Sequence, residues 1–103
     1  MANVFGRSTG VAVGTGVTTL YTCPADTSTT LIGITVCNVT ASDVIEVAAT
    51  AVGAHVVKNF AIQPGEAISA LEGKIVLTPG DTVTIESDTA SSADVIVSYL
   101  EIT

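Results

Sequence analysis

Positive charge is scarce in this chain. Arg7, Lys58 and Lys74 are its only basic residues against 10 Asp and Glu, giving a net charge of −7 over 103 residues. Three cations cannot neutralise a run of phosphates, which excludes a nucleic-acid partner. An anionic lipid surface repels such a chain. Charge of either sign is thin, 13% of residues where a soluble domain averages about 25%. Long apolar runs are missing too. None approaches the roughly 18 residues of a membrane-spanning helix, so no membrane partner is expected. Met1–Gly10 has no continuous apolar stretch, so no signal peptide is expected there. Tryptophan is absent and Phe5, Tyr21, Phe60 and Tyr99 are the only aromatics, too few for the platform of a typical sugar-binding sandwich.

Groups that do chemistry are equally sparse. Cys23 and Cys37 are the only cysteines. If the strands around them form a hairpin, the two lie roughly 20 Å apart along the ladder. A disulfide needs Cα atoms within about 7 Å, so both read as small buried hydrophobes. His55 is the only histidine. Its neighbours Ala54 and Val56 supply neither an orienting acid nor a nucleophile, and it reads as a structural or surface residue. Gly14-Thr15-Gly16 has the glycines of a phosphate loop but no following helix and no lysine. Asp88 and Asp94 flank one loop, short of the six to eight oxygens that calcium takes. Asn38-Val39-Thr40 matches a glycosylation sequon without a secretory signal. No catalytic, cofactor or metal site is expected, and the chain is read as no enzyme.

What is abundant is β-branching. Val, Ile and Thr number 15, 9 and 16. Their stiff χ1 torsions disfavour helix and suit half-buried pleated surfaces. Strands are expected over Val11–Tyr21, with a kink or bulge at Gly14 and Gly16, and over Leu31–Val39, with Ile32, Ile34 and Val36 on one face. Others are expected over Val44–Thr50, His55–Ile62, Ala67–Leu71, Ile75–Leu77, Thr82–Ser87 and Val95–Ile102. The last is apolar on both faces, which predicts a central or covered position. Pro64-Gly65 and Pro79-Gly80 have the order of type II turns, and Asp81 is placed to bond turn amides. About eight short strands with turns between them predict a single antiparallel β-sandwich, jelly-roll-like, over residues 11–103. Residues 1–10 lack periodicity and read as an extended N-terminal arm. Phe5 in that arm either folds back on the domain or anchors a neighbour. Arg7 beside it is a cation seeking a carboxylate on a partner.

The run Ile62-Gln63-Pro64-Gly65-Glu66, then Leu71-Glu72-Gly73-Lys74-Ile75-Val76-Leu77, Pro79-Gly80-Asp81 and the C-terminal Ala93–Ile102 resembles small virion proteins of tailed bacteriophages. The opening Thr18-Thr19-Leu20-Tyr21-Thr22-Cys23-Pro24-Ala25 fits the same resemblance, which covers most of the chain. It implies a β-sandwich structural protein of the virion. The expected role is a capsid decoration (cement) protein that binds the outer shell and clamps neighbouring capsid subunits. It would be assembled in the host cytoplasm and located on the outer capsid surface. Its expected partners are the major capsid protein and itself, as a homotrimer, with Phe5 and Arg7 as contact residues. A tail, neck or fibre component is the alternative, and a carbohydrate or adhesion module a further one. These are turn and core motifs, and they speak to fold more than to function.

Overall fold

The β-branched segments form nine strands in a computed structural model that describes residues 3–71 and 73–103. They are β1 (Asn3–Val13), β2 (Thr18–Thr22), β3 (Ser28–Asn38), β4 (Ile45–Ala51), β5 (Ala54–Ile62), β6 (Ala67–Ser69), β7 (Ile75–Leu77), β8 (Thr82–Ser87) and β9 (Ala93–Ile102). No helix occurs among the described residues. One sheet, here called A, has the order β1-β9-β3-β6, with β7 also on β3; the other, B, has the order β2-β8-β4-β5. All pairings are antiparallel.

The pairings β1·β9, β2·β8, β3·β6/β7 and β4·β5 are those of one long hairpin of paired segments. The added pairings β9·β3 and β8·β4 roll that hairpin up. This is the jelly-roll arrangement, with β6 and β7 together filling the place of one strand. Nine strands appear instead of about eight because that place is split.

Alternation builds the core. Ile45, Val47 and Ala49 of β4 are buried, as are Val83 and Ile85 of β8, Val95 and Val97 of β9, and Leu31, Ile34 and Val36 of β3. The two Pro-Gly turns close as expected. Glu66 N–H donates to Gln63 O and Asp81 N–H to Thr78 O, each at 3.0 Å. Gly65 and Gly80 take φ of +77° and +89°, the left-handed values required at the third position of a type II turn. Asp81 accepts from Thr78 N–H at 2.9 Å, and Glu66 accepts from Gln63 N–H at 3.2 Å. The same acid-capped turn is used twice.

Four sequence expectations change in detail. Val11–Tyr21 is not one kinked strand: β1 ends at Val13, β2 begins at Thr18, and the chain changes sheet between them. Ser87 N–H donates to Gly14 O at that crossing. Residues 3–10 of the expected arm are extended and lie paired along β9, from Asn3↔Ile102 to Gly10↔Val95. Met1 and Ala2 lie outside the described residues. Ile32 does not share a face with Ile34 and Val36, because the register slips between Leu31 and Gly33. Leu31 takes the buried place and Ile32 turns outward. In β5 the clean alternation fails. The β4–β5 register slips twice, Asn59 takes a φ of +53°, and the strand lies exposed at the edge of sheet B.

Candidate functional site

The two sheets present very different outer faces. On sheet B the outward positions include Thr19 and Thr22 of β2, Thr82, Thr84 and Glu86 of β8, Glu46, Ala48 and Thr50 of β4, and Ala61 and His55 of β5. Threonine and glutamate predominate among them, and the apolar members are small. On sheet A the register sets Phe5, Leu100, Thr30 and Val76 in one row across four strands. Thr9, Ile96 and Thr35 form a second row, and Arg7, Ser98 and Gly33 lie between the two. Phe5 is 75% exposed, Val76 63%, Ile96 48% and Ile32 43%. Among the described strand positions of this face Arg7 is the one cation and Asp94, at its far end beside Cys37, the one acid. A face of low net charge on a −7 chain, with several large apolar side chains exposed, is the candidate contact surface of the molecule.

Small residues shape this face. Ser98 and Gly33 sit opposite each other in the ladder, and open space lies where a Cβ of Gly33 would be. Phe5, Arg7 and Ile32 border a depression of about 250 Å³ there. Phe5 therefore does not fold back into the domain. It projects beside a hollow large enough to receive an apolar side chain of a partner. The structure thus brings the two sequence-derived contact residues, Phe5 and Arg7, together on the outward face of β1.

A polar bridge holds the end of the sandwich behind this surface. Tyr21 on β2 hydrogen-bonds Glu101 on β9, and its hydroxyl lies 2.8 Å from Thr29 Oγ1 on β3. The Tyr99 ring packs on Tyr21 with centroids 4.3 Å apart and crosses over Gly6, where a Cβ would come within 2.7 Å of the ring. Burial, reinforced by the Glu101 carboxylate, raises the Tyr21 pKa well above its ordinary value. Ser8 of β1 donates to Leu20 O of β2, closing this side of the sandwich. On the opposite side β5 and the segment after β6 part to leave a cleft of about 350 Å³ lined by Val56, Val57, Phe60, Ser69, Leu71 and Ile75.

The other sequence candidates take structural places. Asn38 is fully buried and its Nδ2 donates to Asp43 O at 2.8 Å and Ile62 O at 2.9 Å. The sequon amide is thus committed inside the fold. Asp88 accepts from Glu46 N–H at 3.1 Å and Asp94 from Ala12 N–H at 2.9 Å, so both carboxylates fasten backbone. No group of three His, Cys, Asp or Glu gathers as a metal site among the described residues. His55 is exposed on β5, opposite Thr50. Cys23 is buried against Thr27 O and Thr29 Oγ1, each 3.3 Å from its sulfur. Cys37 is half-buried, and both thiols are free.

No protein-family model matches the chain, and no curated protein matches it in sequence. A solved structure from Bacillus endospore appendages, described as a family of disulfide-linked pili, superposes with a TM-score of 0.46. It is 16% identical over 99% of this chain and 85% of that one. At that score the likeness carries no argument about assembly or function.

Sequence reasoning missed three members of the surface: Ile32, Ile96 and Val76. Ile32 was placed on one face with Ile34 and Val36 because a one-residue slip cannot be read from alternation. Gly33 beside it was the available signal, since glycine within a strand often marks a bulge. Ile96 and Val76 sit in strands apolar on both faces, where composition does not say which face meets the other sheet.

Proposed function

We propose that this chain is a structural subunit of a phage particle, a capsid decoration protein that binds the outer shell through the outer face of sheet A. One observation carries the reading: the outer face of sheet A sets large exposed apolar side chains, Phe5, Ile32, Val76 and Ile96, among small neutral residues, and the outer face of sheet B is mostly threonine and glutamate. A protein with this asymmetry is suited to lie with one sheet against a surface and the other toward water. The resemblance of the turn and core motifs to small phage virion proteins supports the same reading.

On this reading Phe5, Ile32 and Ile96 bury apolar area against the major capsid protein. Arg7 meets a carboxylate there, a pairing that sets orientation more than affinity. Side chains at the centre of such a patch carry most of the binding energy. The test is co-sedimentation with purified shells that lack the protein. Ile32→Lys/Ile96→Lys is expected to lose shell binding, while Thr84→Lys on the opposite sheet retains it. Equal binding by both variants would overturn the assignment of the face.

A further inference from the structure

Sheet edges are templates for pairing, and folded proteins guard them with short strands, bulges and charges. Three of the edges here are guarded. β2 has five residues and a broken register. β6 and β7 have three residues each. β5 is bulged against β4, carries Lys58 and has Asn59 in the left-handed region. β1 is not guarded. It pairs with β9 on one side only, and its register runs unbroken from Asn3 to Gly10. It has no proline, no acid and a single charge, Arg7, in a chain of net charge −7. That leaves an unpaired ladder of about 26 Å at 3.3 Å per residue, on an element that carries one positive charge in an acidic chain.

We propose that two copies of this chain pair through β1, antiparallel about a two-fold axis at Gly6, so that sheet A runs continuously through both. The register follows from face and charge. Opposed residues in an antiparallel pair point the same way, so outward residues must meet outward residues. An axis at Gly6 satisfies this and pairs Asn3 through Thr9. It sets Phe5 of each copy opposite Arg7 of the other, placing a guanidinium beside an exposed ring, a favourable cation–π arrangement. An axis at Arg7 would oppose the two guanidiniums. An axis at Phe5 would shorten the ladder to Asn3–Arg7. The sequence of β1 is thus complementary to itself in one register. The contact is isologous and closes at two copies, not at the three that the family resemblance implies. It also joins the two apolar outer faces into one.

This pairing goes beyond shell binding and does not depend on it, because it is read on the full chain free of any particle. Sedimentation velocity from about 1 μM to about 1 mM is expected to show a reversible dimer. Phe5→Lys puts an ammonium opposite Arg7 of the second copy and should raise the dissociation constant by at least about tenfold. An unchanged circular dichroism melt would show that this exposed substitution leaves the fold intact. Phe5→Lys/Arg7→Glu should restore the dimer, since the introduced ammonium then faces the introduced carboxylate. A monomer at every concentration, a trimer, or a dimer indifferent to Phe5→Lys would each overturn the proposal. Loss of shell binding by the Ile32 and Ile96 variants with the dimer intact would separate the two surfaces.

Discussion

At the scale of single residues, a few positions hold more than their size suggests. Gly6 leaves room for the Tyr99 ring that crosses it. Gly6→Ala must displace that ring and should cost about 1–3 kcal/mol, the usual range for overpacking. Gly33→Ala meets open space and should stay within about 0.5 kcal/mol of the parent, as exposed changes do. Paired urea melts check both. Asn38→Ala removes the amide that donates to Ile62 O and accepts from Thr40 N–H, and should cost about 2–4 kcal/mol by the same measurement. The buried phenol of Tyr21 gives a pH signature. Its folded-state pKa lies above the unfolded value, so its contribution is complete below about pH 10. It is lost as pH rises further and unfolded chains ionise first. Thermal melts between about pH 8 and about pH 11 should show a decline that Tyr21→Phe flattens. Asp81 as a turn cap was legible from Pro79-Gly80-Asp81. Asn38 was legible only as a sequon, because the carbonyls it satisfies come from Asp43 and Ile62, which the fold alone brings together.

At the scale of elements, strand spacing and turn chemistry were read well and edges poorly. The Pro-Gly turns and the alternating β4 and β8 stand as expected, since their patterns are local and of period two. Gly80 holds a φ of +89°, so Gly80→Ala should cost about 1 kcal/mol through strain, seen as a lowered urea midpoint with unchanged slope. β1 escaped notice because an edge strand has only one paired side and one half-buried face. Gly6 and Gly10 occupy inward positions where an apolar residue would have announced the strand. The slip at Gly33 and the bulges of β5 are likewise decided by the neighbouring strand and not by local sequence.

At the scale of the molecule, composition already pointed to the answer in outline. Thirty of the 40 β-branched residues lie in the strands of the two sheets, and the rolled hairpin of paired strands gives every strand a partner. What composition did not contain is the division of surface into a sheet A that exposes Phe5, Ile32, Val76 and Ile96 and a sheet B faced mostly with threonine and glutamate. That division depends on which of two apolar faces in β3, β7 and β9 turns inward, and it is the observation on which the functional reading rests. Quantitative mass spectrometry of purified particles, measuring copies of this chain against the major capsid protein, tests that reading most directly. A copy number comparable with that of the capsid subunit is the expected result. A copy number that is only a small fraction of it, or no copies at all, would contradict a role on the shell.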